Sequence, residues 1–202
     1  MEILYSDHGI VACIKPVGLD SEADVPAALK KLIGGEIYPI HRLDKNVGGV
    51  MIYARTKGAA ATLSKAVQEG QVIKEYVAMV HGTPPEVGDW EDYLFKDSRK
   101  NKVFVVKKER KGVKYARLEF QRLKSGEQSL VHIRLHTGRS HQIRVQFSSR
   151  GFPLVGERKY CTLEDPCEIA LWSHSIGFVH PSTGKKLSFS KEPPALYPWT
   201  EV

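Results

Sequence analysis

His41-Arg42-Leu43-Asp44-Lys45-Asn46-Val47-Gly48-Gly49-Val50-Met51-Ile52-Tyr53-Ala54 joins a polar loop to a run with no charged residue. The second half, Gly49 to Ala54, is short, apolar and partly β-branched, which predicts a strand buried on both faces. The first half carries the chemistry. Asp44 is the only carboxylate between Glu36 and Glu69, and Arg42, Lys45, Arg55, Lys57 and Lys65 lie around it in the chain. Nearby cations favour the ionised form of such an acid. A surface that holds a polyanion has little reason to carry an anion. One beside Gly48-Gly49, where a backbone without Cβ atoms allows close approach, is therefore a candidate for catalysis.

A second window reinforces the first. No Asp or Glu occurs from Gln128 to Gly156, while Arg134, Arg139, Arg144, Arg150, His132, His136 and His141 all do. At its centre stands Thr137-Gly138-Arg139-Ser140-His141-Gln142-Ile143-Arg144. Ser140 is suited to cap a helix running to Arg150, with Gly151 beyond its end. On that helix His141 and Arg144 share a face, and Ile143 and Phe147 anchor another. The segment before it, Leu130 to His136, alternates, with Val131, Ile133 and Leu135 inward and His132, Arg134 and His136 outward.

The flanking elements set the fold class. Ile10 to Lys15 reads as a buried strand stopped by Pro16 and Gly18. Asp24 is placed to cap a helix through Leu32, closed by Gly34-Gly35. Thr56 to Glu69, rich in Ala, reads as a helix ended by Gly70, and Tyr76 to Val80 as the next strand. Val103 to Val106 and Val113 to Phe120 look like a hairpin turning at Lys107 to Gly112. Ile169 to Val179 and Lys186 to Ser190 alternate as strands. The expectation is an α+β fold, a mixed and largely antiparallel sheet with flanking helices, in one domain spanning residues 1–202.

Bulk composition narrows the classes. The chain has 202 residues, 42% apolar and 26% charged, which is ordinary for a soluble globular protein. No run of about 18 apolar residues suggests a membrane span, and the N-terminus lacks the pattern of a secretory signal. A cytoplasmic monomer is expected. Cys13, Cys161 and Cys167 show no paired spacing, so neither a disulfide framework nor a zinc site is expected. His132 and His136 share a strand face, but two histidines without a third ligand make no metal site. The net charge of +7 sits in one segment. Lys96 to Lys114 holds nine Lys or Arg against two acids, while the remaining residues balance. Lys107, Lys108, Arg110 and Lys111 are the exposed cations expected to contact a nucleic acid.

These blocks, in this order, resemble the RluA-type family of RNA pseudouridine synthases. Ile14-Lys15-Pro16-Val17-Gly18-Leu19 looks like the family's opening motif, and His41-Arg42-Leu43-Asp44 like its signature. Lys74-Glu75-Tyr76-Val77-Ala78 followed by Gly82 is similar to its Lys-x-Tyr segment. Thr137 to Arg144 matches its Thr-Gly-Arg-x-His-Gln-Ile-Arg, and Pro153-Leu154-Val155-Gly156 and Phe178-Val179-His180-Pro181 its tail motifs. Four positions depart from the pattern. Val47 replaces the usual Thr, Glu157 the usual Asp, and Gln146 and Trp172 stand where His is common.

The resemblance implies a pseudouridine synthase catalytic fold and isomerisation of uridine in structured ribosomal or transfer RNA, without cofactor or metal. It implies Asp44 as the catalytic aspartate, Tyr76 as the tyrosine packing on the uracil, and Arg144 as the arginine pairing with the aspartate. It places Arg42 and His41, Arg139 and His141 among substrate-binding residues, and Leu171 as an apolar wall. No separate N-terminal RNA-binding domain is expected, because the pattern begins almost at Met1. The competing reading is an RNA-binding module that keeps the fold and has lost catalysis.

Overall fold

The computed structural model describes residues 1–201. Backbone contacts divide the chain into two compact units, Met1–Glu75 with Trp172–Pro193, and Tyr76–Leu171 with the residues from Pro194 onward. Each forms around its own strands.

In the first unit the apolar runs become strands. Ile10–Lys15 (β2) is buried at every position, as is Gly48–Ala54 (β4), and the two pair antiparallel from Ile10 opposite Ala54 to Lys15 opposite Gly49. Ile3–Ser6 (β1) adds antiparallel to β2, and the two-residue Tyr38–Pro39 (β3) to β4. Leu171–Val179 (β10) runs parallel to β4, with Trp172 opposite Gly48, and Lys186–Ser190 (β11) returns antiparallel beside it. Two helices flank these strands. Asp24–Ile33 (α1) buries Val25 and Leu29; Lys57–Gln68 (α2) buries Ala59 and Leu63. Thr56 caps α2 through its hydroxyl, which accepts the Ala59 N–H at 3.1 Å. Asp24 does not cap α1. Asp20 accepts the N–H groups of Glu22 and Ala23 (2.7 and 2.9 Å), closing the entry turn before Asp24. Asp24 instead accepts the Asp20 N–H.

The second unit corrects one sequence expectation. Lys102–Val106 (β7) and Val113–Lys124 (β8) do not form a hairpin with each other. Val87–Asp97 (β6), not expected from the sequence, lies between them and pairs antiparallel with both. Phe95 stands opposite Phe104 on one side and opposite Val113 on the other. β6 eludes periodicity because polar residues fall on both of its faces. Its inward-facing Asp92 is buried against Arg150 and Gln146 rather than replaced by an apolar residue. Gln128–Leu135 (β9) pairs with β8, and Ile73–His81 (β5) lies beside β9.

Gln142–Ser148 (α3) packs against one face of these strands. Val145 joins Leu94, Val103 and Ala116, and Phe147 sits edge-on to Trp90 and Phe120 with centroids 4.7 and 5.2 Å apart. Such aromatic pairs contribute about 1 kcal/mol beyond the area they bury. Among the described residues no helix is long and apolar enough to cross a membrane.

Candidate active site

The first unit carries the Asp44 loop. It is clamped through main-chain groups on both sides of the acid. Before it, buried Ser21 accepts the Leu43 N–H (3.2 Å) and donates to the Leu43 carbonyl (3.0 Å), and the Tyr53 hydroxyl holds the Ser21 carbonyl at 2.8 Å. After it, the Lys45 carbonyl accepts both the Lys15 ammonium (3.0 Å) and the Gly18 N–H (2.9 Å). The Val47 N–H closes a turn on the Asp44 carbonyl at 3.0 Å. Asp44 itself is half-buried while Leu43 and Val47 on either side are buried.

Lys15, expected as the end of a strand and as part of the opening motif, gains a specific task in the structure. It is fully buried, and its ammonium also donates to the Pro16 carbonyl at 2.9 Å. Burial pulls its pKa down to about 8, against the opposing charges of Asp20, Asp44 and Asp24. His41 has a backbone partner as well. Its Nε2 accepts the Ile52 N–H at 3.2 Å, and burial, with Lys74 nearby, pushes its pKa down to about 3. The imidazole is therefore neutral and ties the loop to β4. Arg42 is exposed and lies 3.5 Å from Glu22. Arg55 staples loops, donating to the carbonyls of Asp7, Ile33 and Gly34.

Gly48-Gly49 serves packing rather than leaving room for close approach, which corrects that expectation. A Cβ on Gly48 would stand 2.5 Å from the Trp172 ring. One on Gly49, at φ +120°, would stand 2.3 Å from the Ser173 carbonyl oxygen. Both glycines let β10 lie flush against the start of β4, which fixes the strand where it follows the Asp44 loop.

The second unit carries the other expected residues. Tyr76 is buried on β5 and Leu171 is buried at the start of β10. Beside β5 the chain 153–155 is tied by Pro153 to His81 and by Val155 to Met79, which fixes the residue that follows Gly156. That residue is Glu157. Its carboxylate grips Arg144 bidentately, Nε to Oε2 at 2.7 Å and Nη2 to Oε1 at 2.9 Å, with side chains 13% and 0% exposed. Burial would raise the Glu157 carboxyl, but the Arg144 hydrogen bonds and charge, with the N–H groups of Lys159 and Tyr160, hold it below the usual range. The Arg144 guanidinium also lies 5.6 Å from the centroid of the Tyr160 ring. Sequence reading noted Glu157 only as a departure. The available signal was that it is the first acid after the window holding Arg144.

The turn before α3 is built differently from the expectation. Ser140 makes no cap; His141 precedes α3 in a left-handed conformation, φ +50°. Gln142 instead ties the preceding turn together. Its buried amide accepts the Arg139 N–H (3.0 Å) and the Thr137 hydroxyl (2.8 Å) and donates to the Arg117 carbonyl (3.1 Å). His141 Nδ1 is 2.7 Å from the Tyr160 hydroxyl, which also accepts the Val103 N–H. Half-buried Arg139 donates to the Tyr115 carbonyl at 2.8 Å. Lys107, Lys108, Arg110 and Lys111 are all exposed in the turn between β7 and β8.

Comparison with known proteins agrees with both halves. The family model described as RNA pseudouridylate synthase matches residues 10–149. An uncharacterized RNA pseudouridine synthase of Aquifex aeolicus is 32% identical, over 100% of this chain and 73% of its own length. The ribosomal large subunit pseudouridine synthase C of Buchnera aphidicola, from Schizaphis graminum, is 32% identical over 92% and 65%. The dual-specificity RNA pseudouridine synthase RluA of Salmonella typhimurium is 31% identical over 93% and 90%. The chain thus spans from 52% to 90% of the length of the curated relatives it matches. In fold it resembles human RNA pseudouridylate synthase domain containing 1, with TM-score 0.82 and 21% identity over 96% of this chain and 84% of that one. With the signature motif in its clamped loop and the family model over most of its length, this chain belongs to the RluA-type RNA pseudouridylate synthases, isomerases that convert uridine to pseudouridine in RNA.

Proposed function

We propose that residues 1–202 act as one catalytic domain, a cytoplasmic monomer that converts uridine to pseudouridine in structured ribosomal or transfer RNA without cofactor or metal. The observation that carries this reading is Asp44, a half-buried acid whose loop is pinned at Leu43, Lys45 and Val47 by main-chain hydrogen bonds. A group aimed at one sugar carbon needs that fixity, since misplacement by about 1 Å can cost 100-fold in rate.

The chemistry assigns the other roles. A base within a helix is out of reach, so it must be extruded at about a few kcal/mol. Contacts to phosphates from Arg42, Lys107, Lys108, Arg110 and Lys111 offset that cost. The N-glycosidic bond then breaks, the base turns, and its C5 is rejoined to the same sugar carbon with Asp44 as the catalytic carboxylate. Tyr76 packs on the uracil and assists loss of the C5 proton. Arg144, oriented by Glu157, acts as the cation that partners the aspartate, while Arg139, His141 and Leu171 line the substrate side. His41 contributes by holding the Asp44 loop.

Tritium released from 5-tritiated uridine in bulk cellular RNA tests the proposal. Wild-type protein should release it and Asp44→Asn should not. Equal release by both removes Asp44 from the chemistry. RNA binding without release by the wild type would leave only an inactive RNA-binding module.

A further inference from the structure

The strands β6, β7 and β8 show one face to α3 and the other away from it. Leu94, Val103 and Ala116 are on the α3 face, and all are buried there with Val145. Alternation puts Tyr93 and Phe95, Phe104 and Val106, and Val113 and Tyr115 on the opposite face, where register sets them side by side. Phe104 is 37% and Tyr115 is 41% exposed. Tyr93 and Tyr115 meet edge to face with centroids 6.4 Å apart. Four aromatic rings on one sheet face, two of them more than a third exposed, make an apolar patch of the kind that marks an interaction site.

Charge identifies the occupant. The turn joining β7 to β8 carries Lys107, Lys108, Arg110 and Lys111, within the one segment that holds the chain's charge excess. Arg110 folds back so that its guanidinium lies 5.3 Å from the centroid of the Phe95 ring, presenting a planar cation at the aromatic face. The far end of the same face is acidic. Asp89, Glu91 and Glu119 cluster there around Arg117, and Glu91 reaches back to accept the Tyr115 hydroxyl at the border of the aromatic end. A polyanion is therefore held at the aromatic end and turned away from the other.

We propose that this face is a stacking platform for unpaired nucleotides of the RNA, with Phe104 and Tyr115 as the rings that receive bases and the Lys107–Lys111 turn as the grip on their phosphates. The inference rests on the reading that the substrate is RNA. It adds that the protein binds a single-stranded stretch of that RNA apart from the uridine it modifies. Stacking on aromatic rings is tolerant of sequence, so the platform supplies affinity rather than base selection.

The probe is an oligoadenylate of about twelve nucleotides, a length within the range that such surfaces cover, with a central 2-aminopurine. It contains no uridine, so binding is read without turnover. Wild-type protein should quench the 2-aminopurine on binding. Phe104→Ala with Tyr115→Ala should weaken binding at least about tenfold and leave its salt dependence unchanged, whereas Phe104→Tyr with Tyr115→Phe should restore affinity. Neutralising Lys107, Lys108, Arg110 and Lys111 should instead flatten the salt dependence. Wild-type affinity in the double-alanine variant overturns the platform. So does an equal loss for duplex RNA, or a change confined to self-association in sedimentation, which would make the face a contact between copies. Tritium release by the wild type is measured separately. A failed platform with release intact leaves the isomerase assignment standing, and quenching without release would remove the assignment and keep the platform.

Discussion

The Asp44 loop and the Arg144 helix hold their functional charges by opposite means. Around Asp44 the grip is on the main chain of its neighbours, through Ser21, Lys15, Gly18 and His41. Arg144 is gripped by its own guanidinium, through two short bonds to buried Glu157. The two designs differ in what a mutation exposes. A main-chain clamp distributes its strength over several hydrogen bonds, most of them neutral and each contributing about 1 kcal/mol. A buried ion pair concentrates it, because removing one partner leaves a charge without its compensating group, at about 3–5 kcal/mol.

That contrast can be broken most forcefully at Glu157. Glu157→Gln should destabilise the protein by about 3 kcal/mol, read as a lower urea midpoint at unchanged slope. It should also slow isomerisation while leaving RNA affinity nearly unchanged. A shift below about 0.5 kcal/mol, the usual range for surface substitutions, would show that the pair is not the concentrated element described. At the other region, Ser21→Ala removes a single hydroxyl that serves both polar groups of Leu43. The expected loss is about 1–2 kcal/mol, smaller than at Glu157. An equal or larger loss would erase the distinction.

Acid sharpens the comparison further. His41 has a folded-state pKa of about 3 against 6.5 when unfolded. The unfolded chain thus takes up a proton below 6.5 that the folded protein refuses, and stability falls as pH drops from 6.5 toward 3. Glu157 is depressed below its ordinary 4.5, so its contribution is present above 4.5 and is lost only as pH falls through its folded value. Between pH 6.5 and 4.5 the loss belongs to the Asp44 loop, not to the ion pair. His41→Gln should flatten the stability curve in that window, while Glu157→Gln should flatten it only below. Identical curves for wild type and His41→Gln would contradict the neutral imidazole.

How much of this was legible before the structure depends on the kind of signal. The buried runs at β2 and β4 could be read because every residue in them is buried and nearly all are apolar, and β9 because its alternation is unbroken. β6 could not be read, since polar Asp92 occupies its inward face and is satisfied by Arg150 and Gln146 from far along the chain. Local capping was read wrongly at Asp24 and Ser140 because each stands one residue off the cap position: α1 starts at Asp24 itself with Ala23 before it, and α3 starts after left-handed His141. The candidate catalytic residue was visible as an isolated acid. Its supports were not, because Lys15 acts across 30 positions and Ser21 across 22. The Gly48-Gly49 pair was visible too, but its purpose only appears once Trp172 and Ser173 lie against it.

The most direct measurement separates binding from chemistry in Asp44→Asn. That protein should bind substrate RNA within about threefold of wild type, a difference under 1 kcal/mol, while tritium release from 5-tritiated uridine disappears. Release at the wild-type rate, or a loss that merely follows weakened RNA binding, would contradict the account.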